Sequence, residues 1–391
     1  MIDPQLYAYM ESLLAQTDGA FHRYLYGTID WRARLIGIVG PRGVGKTTMV
    51  LQYIREYQAE QKALYVSADN AYFATHTLIG LADDWAKDMG QLLVIDEVHK
   101  YPDWSRELKQ IYDTHPDVHI VFTGSSILDI AKGSADLSRR ALMYTLQGLS
   151  FREYLQLFHH ISTPVFSLSD ILASKAAIDG VLHPLAYFRQ YLQDGYYPFA
   201  IEGNFTTRMQ AVISQTVESD IAQFADMKAT TARKLKKMLA IVATLAPFKP
   251  NADSLATEIG ISRNNVADYL LLLERAQMIG QLRDDTGGMR GLAKVEKVYL
   301  DNPNLMYVLN SADINIGNVR ETFFYNQMRV QQEVVSSRIS DFTIGDYTFE
   351  VGGHNKGKKQ IEQAANGFIV RDDIEVGYGN IIPLWAFGLN Y

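Results

Sequence analysis

Cysteine is absent from the 391 residues of this chain, which excludes disulfide bonds and thiolate metal sites and fits a reducing compartment. The chain also lacks an uncharged apolar run of the roughly 18 residues that a membrane span needs. Its first residues carry acids instead of the basic and then apolar pattern of a secretion signal. We therefore expect a cytoplasmic protein that makes no membrane contact.

An excess of positive charge is missing as well. Lysine and arginine number 37 against 44 acids, a formal net charge of −7. A chain built mainly to coat phosphates would be basic, so any contact with nucleic acid must be local. Apolar residues make up 47% and charged residues 21%, the balance of a folded protein, and the length predicts several domains.

The clearest motif is "GPRGVGKT" at 40–47, between the apolar run "RLIGIVG" and a segment of helical period. Glycines let the backbone amides of such a loop surround phosphates, and the helix N-terminus adds positive potential. Lys46 would reach the β and γ oxygens, and the Thr47 hydroxyl would ligate Mg²⁺. The alternative is a chance glycine–lysine turn. The predicted nucleotide-binding residues are Gly40, Pro41, Arg42, Gly43, Val44, Gly45, Lys46, Thr47, Thr48, Asp96 and Ser125.

Two acids follow the apolar strand "LLVI". Asp96, at the strand end, is the expected second contact of Mg²⁺. Glu97 would accept a proton from the water that attacks the phosphate, a role that a mere holder of nucleotide does not need. The alternative is a solvated acid at a strand end. The motif predicts ATP and Mg²⁺ as cofactors and Lys46 and Glu97 as catalytic residues.

Other polar residues at strand ends have less specific signals. Thr123 and Ser125 end a fourth strand and would either sense the γ-phosphate or cap a turn. Arg139 and Arg140 precede a fifth strand. Arg140 is predicted as a catalytic arginine that completes a neighbour's site, which implies a homo-oligomer, or else it is a surface arginine.

Strands alternate with helical stretches up to about residue 150, which predicts an α/β fold with a parallel sheet and helices on both faces. Residues 151–230 read as helical. Residues 231–305 give two short helices around Gly260 and then a hairpin. Residues 306–391 mix a helix with short strands, and "IIPLWAFGL" reads as one of them.

The second of the two short helices starts with Arg263, Asn264 and Asn265, where a recognition helix meets base edges of double-stranded DNA. Between 233 and 300 there are 11 Lys/Arg and 7 Asp/Glu residues, a local charge of +4. Asp268 in that helix and Asp284–Asp285 in the hairpin would instead repel phosphates. The alternative is a lid or a contact with another protein.

Together these blocks resemble prokaryotic AAA-type P-loop ATPases fused to a DUF4143-like tail. The matching text is "GPRGVGKTT", "LVIDEVHKYPDW", "VFTGSS", "DLSRRALMYTLQGLSFREYL", "FEVGGHNKGKKQI" and "PLWAFGLNY". The resemblance implies an additional-strand, catalytic-glutamate ATPase core at 1–150. It also implies a helical lid or appendage at 151–230, a winged helix at 231–305 and an endonuclease-like domain at 306–391.

An active endonuclease-like fold needs two acids for Mg²⁺ and a lysine near the attacking water. Asp341 and Glu350 have suitable spacing, and Glu321 would complete the acids. Gly352 stands at the lysine position, and only Lys356 is near enough in sequence to replace it. We therefore favour a degenerate site in a binding or docking module.

Three functional hypotheses follow. The first is an Mg-ATP-hydrolysing molecular switch that acts on the winged-helix and endonuclease-like modules and contacts DNA or protein. The second is a nucleotide-gated DNA-binding regulator with slow hydrolysis. The third is an ATP-dependent nuclease.

Overall fold

The computed structural model describes residues 2–58, 61–124, 137, 139–221, 229–285, 294–310, 314–353 and 361–391. It divides into two compact units, Met1–Gln147 and Gly148–Tyr391. The four domain ranges expected from the sequence, 1–150, 151–230, 231–305 and 306–391, stay a prediction.

The first unit is built on a parallel five-stranded sheet. Its strands are β1 (Leu35–Val39), β2 (Ala63–Ser67), β3 (Leu92–Asp96), β4 (His119–Gly124) and β5 (Leu142–Thr145). Its helices are α1 (Pro4–Gln16), α2 (Lys46–Tyr57), α3 (Leu78–Lys87) and α4 (Trp104–Thr114). Every residue of β1 and β3 is buried, because helices cover both faces of a parallel sheet.

The strand order is β2-β3-β4-β1-β5, so β4 lies between β1 and β3. Leu35 pairs with Ile120, and Leu93 pairs with the same residue from the other side. This confirms the predicted α/β core and its additional strand. In a sheet of this kind, ligands bind beyond the carboxyl ends of the strands, at the point where the strand order reverses.

The second unit begins with helices, as the sequence predicts for 151–230. They are α5 (Phe151–His159), α6 (Leu168–Leu172), α7 (Pro184–Asp194) and α8 (Phe205–Ser214), followed by a π-helical turn at Gln215–Asp220. Helices α9 (Ala229–Leu245), α10 (Ala252–Ile259) and α11 (Asn264–Arg275) come next. Gly260 ends α10 with a φ of 77°, the left-handed conformation of a helix C-terminus.

The predicted hairpin is present as antiparallel strands β6 (Ile279–Arg283) and β7 (Val295–Leu300). Then come α12 (Pro303–Leu309) and α13 (Ile316–Met328) and a sheet ordered β12-β11-β10-β9-β8. Its strands are β8 (Val335–Ser336), β9 (Phe342–Ile344), β10 (Tyr347–Gly352), β11 (Gly367–Arg371) and β12 (Ile381–Pro383). The prediction of a strand through "IIPLWAFGL" is wrong beyond Pro383, because residues Leu384–Leu389 form a buried 3₁₀ helix.

In addition to apolar packing, hydrogen bonds of buried polar side chains stabilise the second unit. The wholly buried Asn304 donates its amide to the carbonyl oxygens of Tyr191 (3.0 Å) and Leu192 (2.9 Å), which satisfies the last turn of α7. Gln327 of α13 donates to the Tyr191 hydroxyl at 3.0 Å. These bonds connect parts of the chain that the sequence assigns to different domains.

Candidate active site in the first unit

The loop between β1 and α2 has the backbone shape that its glycines allow. Gly45 caps α2 with a φ of 95°, which side-chain-bearing residues rarely adopt. A Cβ atom on Gly40 would lie 2.2 Å from the Leu146 carbonyl oxygen, so only glycine fits there. The loop therefore brings its backbone to the N-terminus of α2, where amide groups attract anions.

Lys46 is buried at the start of this helix, with 5% of its surface exposed. Its Nζ donates to the carbonyl oxygens of Gly40 and Pro41, each at 2.8 Å. The carbonyl groups of the loop therefore hold the Lys46 ammonium in place. Of the other predicted loop residues, Pro41 and Val44 are buried, Arg42 is half-buried, and Gly43 and Thr48 are exposed.

Asp96 is the centre of the hydrogen-bond network at the carboxyl edge of the sheet. Its Oδ2 accepts hydrogen bonds from the hydroxyls of Thr47 (2.7 Å) and Tyr65 (2.8 Å). Its Oδ1 accepts one from the Thr123 hydroxyl and one from the Glu97 amide at 3.1 Å. All four donors are neutral, so the network orients the carboxylate without cancelling its charge.

Glu97 follows directly, with a left-handed backbone at φ 53° and ψ 40°. Its amide also lies 3.3 Å from the Thr123 hydroxyl, and its side chain is 24% exposed. A glutamate whose backbone amide is hydrogen-bonded and whose carboxylate is accessible to solvent can accept a proton from a nearby water. The structure thus brings Lys46, Thr47, Asp96 and Glu97 together at one edge of the sheet.

Sequence reasoning missed Tyr65 and Arg23. Burial and the Asp96 charge raise the pKa of Tyr65 above its ordinary range, so its hydroxyl keeps the proton that it donates. Arg23, 5% exposed, donates to the Val44 carbonyl and to the Gln147 carbonyl (2.8 Å), and so connects the loop to the chain beyond β5. The tyrosine hydroxyl in the otherwise apolar run of β2 could have indicated Tyr65, but no local signal indicates Arg23.

Arg140 lies away from this cluster. It precedes β5, whose Leu142 pairs with Ile36, whereas the loop follows the opposite end of β1. Its guanidinium binds both carboxylate oxygens of Asp113, at 2.9 and 3.0 Å, and thereby lowers the pKa of Asp113. Arg140 therefore does not reach the loop of its own chain, and a role in a neighbour's site stays a prediction.

The predicted nucleotide-binding residue Ser125 lies outside the described residues.

Magnesium and ATP fit these residues. The Thr47 hydroxyl and the Asp96 carboxylate are hard oxygen donors 2.7 Å apart, the ligand type that Mg²⁺ prefers. The glycine loop and the N-terminus of α2 offer amide donors to phosphate oxygens.

Residues 32–155 match the family model of an AAA domain. The match covers β1 to β5, the loop and both strand-end acids. Together with the parallel sheet it identifies an AAA-type P-loop core, a fold that supports ATP binding and hydrolysis in general. Residues 185–314 match a different model, a domain of unknown function (DUF8612). The predicted DUF4143-like tail is not confirmed by either match.

Several solved structures are similar to the chain over most of its length, at low identity. A Walker-type ATPase of Pyrococcus abyssi, PABY2304, has 14% identity and a TM-score of 0.44, over 71% of this chain and 91% of its own. AMPPCP-bound DnaA from Aquifex aeolicus has 12% identity and a TM-score of 0.26, over 71% and 90%. The Hsp104–ADP complex of S. cerevisiae has 14% identity and a TM-score of 0.34, over 68% and 41%. No curated protein matches the chain.

In the second unit, Arg263, Asn264 and Asn265 are exposed at the start of α11, as the sequence predicts. Arg263 Nε lies 3.4 Å from Asp253 Oδ1, and both side chains are about 70% exposed (70% and 71%). An ion pair so exposed to water is weak, and a phosphate could replace the carboxylate. The hairpin tip between 285 and 294 lies outside the described residues.

In the tail, Glu321 and Asp341 lie within reach of one lysine, whereas Glu350 is linked to Asp341 only through neighbouring residues. Asp341 Oδ2 accepts the Val351 amide at 3.0 Å, and the buried Glu350 accepts the hydroxyl of Ser340, the neighbour of Asp341. Lys356 lies outside the described residues. Over the ranges that the structure describes, no three acidic or histidine side chains are arranged to hold a metal ion.

A lysine that sequence reasoning did not consider binds two of these acids. Lys297 of β7 places its ammonium 3.0 Å from Glu321 Oε2 and 3.4 Å from Asp341 Oδ1. The Tyr299 hydroxyl adds a bond to Glu321 at 3.0 Å. The cation of this acid group is therefore supplied by the hairpin.

Within the described residues, no helix is at once long and apolar enough to cross a bilayer.

Proposed function

We propose that this chain binds Mg-ATP at the loop of 40–47 and hydrolyses it, with Glu97 as the general base. The observation that supports this most directly is the Asp96 network. Four neutral donors orient the carboxylate 2.7 Å from the Thr47 hydroxyl and leave its negative charge available. A strand-end acid without function would not need three hydroxyls from three different elements.

The proposed roles follow from these positions. Thr47 and Asp96 would hold the magnesium ion, which when bound neutralises charge on the phosphates. Lys46 would leave the carbonyls of Gly40 and Pro41 for phosphate oxygens, where its charge stabilises the transition state. Glu97 would orient the attacking water and take its proton.

The test is ATP turnover together with nucleotide affinity. Glu97→Gln should retain ATP but lose about 10²- to 10⁴-fold in turnover, the range of general-base catalysis. Lys46→Ala should lose binding. Glu56→Gln, which changes an exposed acid of α2, should keep the parental rate. Parental turnover in Glu97→Gln would refute the assignment of the base.

We further propose that the ATPase acts as a switch for the second unit. Comparing amide exchange in 148–391 with and without a non-cleavable ATP analogue tests this. Identical exchange in the two states would contradict it.

Arg140 is the proposed catalytic arginine of a neighbouring copy. Its Asp113 partner is half-exposed, so the guanidinium could change partners in an oligomer. Turnover per chain should then rise with protein concentration, and Arg140→Ala should abolish the rise. A turnover that is independent of concentration would remove this proposal.

A nucleotide-gated DNA-binding regulator is the second candidate, favoured by the exposed Arg263, Asn264 and Asn265. Binding to duplex DNA should weaken steeply with added salt, and Arg263→Ala should reduce both affinity and salt dependence. Arg208→Ala, which changes another surface arginine of this unit, is the matched control. Turnover without DNA, with duplex and with single strands separates the two candidates.

We do not favour a nuclease. The Lys297 ammonium already compensates Glu321 and Asp341, and Gly352 stands where the motif needs lysine. Manganese-dependent nicking of plasmid DNA that is lost in Glu350→Ala would overturn this view.

A further inference from the structure

His99 lies two residues after the proposed base and is buried. Its side chain is 1% exposed, and its Nε2 lies 3.4 Å from Glu97 Oε2. At this distance a small rotation of either side chain completes a hydrogen bond, and bonds of catalytic groups are often long before the substrate is bound. The imidazole is therefore placed to restrain the carboxylate.

The backbone between the two residues explains why they meet. Glu97 has the left-handed conformation, which is unfavourable for a residue with a side chain and is often found at functional sites. The Lys100 amide donates to the Glu97 carbonyl at 2.9 Å, and the Tyr101 amide donates to that of Val98 at 3.0 Å. This short 3₁₀ turn returns the chain and places the His99 ring beside the carboxylate.

A general base must present one oxygen to the attacking water in a defined direction. A glutamate side chain has several staggered rotamers, and that of Glu97 is 24% exposed. A fixed imidazole N–H beside one carboxylate oxygen limits these rotamers and leaves the other oxygen for the water. Misplacing a catalytic group by about 1 Å can cost roughly 10²-fold in rate.

We infer that His99 is a positioning residue for Glu97, with Nε2 holding one carboxylate oxygen so that the other faces the attacking water. The inference rests on the proposed role of Glu97 as the base. It gives the buried histidine of "IDEVHK" a function that the sequence motifs do not assign.

Substituting His99 by glutamine or by asparagine provides the test, because these two amide side chains place their N–H groups at different positions. The amide nitrogen of glutamine reaches the position of Nε2, whereas that of asparagine lies near Nδ1. In His99→Gln we expect kcat within about threefold of the parent. In His99→Asn and His99→Ala we expect kcat to fall about 10- to 100-fold. ATP affinity, measured with a fluorescent analogue, should change less than about threefold in all three variants, which also shows that the site remains folded.

A matched control exists in the same unit. His115 places its Nε2 2.8 Å from Asp83 Oδ1, a second imidazole–carboxylate pair at the amino edge of the sheet. His115→Asn should leave kcat unchanged. Parental kcat in His99→Asn would overturn the inference, and so would an equal loss in the Asn and Gln variants, since packing alone would then explain it. If Glu97→Gln itself kept the parental rate, the proposed function would fail first, and the two failures can be distinguished.

Discussion

Each unit of the chain contains carboxylates that are at least partly buried, but the partners of these carboxylates differ in charge between the two units. In the first unit, Asp96 accepts hydrogen bonds from three hydroxyls and an amide. In the second, Glu321 and Asp341 share the ammonium of Lys297. Neutral donors orient a carboxylate and keep its charge, whereas a lysine cancels that charge. The first arrangement therefore keeps the negative charge that the proposed magnesium site requires.

The pKa directions in the second unit agree with this interpretation. Burial raises the pKa of Glu321, Asp341 raises it further, and Lys297 acts in the opposite sense. Burial alone would lower the pKa of Lys297, but the attraction of the two acids outweighs it and raises the pKa. The lysine is therefore charged at neutral pH and compensates these partly buried acids.

The largest effect should come from removing the charge of Asp96. Asp96→Asn keeps one acceptor oxygen but loses the negative charge for the metal, and metal stabilisation of a transition state is worth several kcal/mol. We expect ATP turnover to fall about 10²- to 10⁴-fold. Asp341→Asn, the matched change in the second unit, should keep turnover within about twofold. Similar losses in both variants would contradict the distinction between the two acid groups.

A smaller effect is expected on stability when Lys297 is removed. Lys297→Met leaves Glu321 and Asp341 uncompensated, which should lower the free energy of unfolding by about 1–3 kcal/mol, between the values for exposed and buried pairs. Urea unfolding and amide exchange of β9 and β10 measure this. Lys294→Met, at an exposed lysine beside the same strand, should show no measurable change. Unaltered exchange in Lys297→Met would show that the acids do not depend on this lysine.

The same variant should respond to acid in a defined direction. A carboxyl group whose pKa is raised by folding destabilises the fold above that pKa, and the penalty disappears as the pH falls through it. Without Lys297 the pKa of Glu321 should rise further. The stability difference between Lys297→Met and the parent should therefore shrink from pH 7 towards pH 5. Adding Glu321→Gln should remove this pH dependence, and a difference that grows on acidification would contradict the assignment.

The candidate residues of the first site lie mainly in two short segments, so local sequence patterns were enough to indicate them. The loop of 40–47 lies between a strand and a helix, and the two acids lie between β3 and a short turn. Each segment can therefore be recognised from its immediate neighbours in the sequence. The hydroxyl of Tyr65 comes from a neighbouring parallel strand, where Ser67 pairs with Asp96. That register is a property of the sheet, and a single segment does not reveal it.

The second unit was harder to predict because its contacts join distant segments. Lys297 meets Glu321 and Asp341, 24 and 44 residues away, only after the hairpin packs on the tail. The nuclease motif places its lysine shortly after the second acid, so the sequence pointed to Lys356 instead of Lys297. In the same way Pro383 ends a strand in "IIPLWAFGL" that apolar composition alone would extend.

The smallest effect tests whether each neutral donor of Asp96 contributes. Tyr65→Phe removes one hydroxyl from a buried hydrogen bond of 2.8 Å and leaves the ring in place. Because three donors remain, we expect ATP turnover to fall only about two- to fivefold, below 1 kcal/mol of transition-state stabilisation. Tyr26→Phe, which removes a hydroxyl bonded to Glu56 outside the site, is the control and should have no effect. An unchanged rate in Tyr65→Phe would mean that the other donors orient Asp96 fully, and a loss as large as that of Asp96→Asn would mean that the hydroxyl does more than orient it.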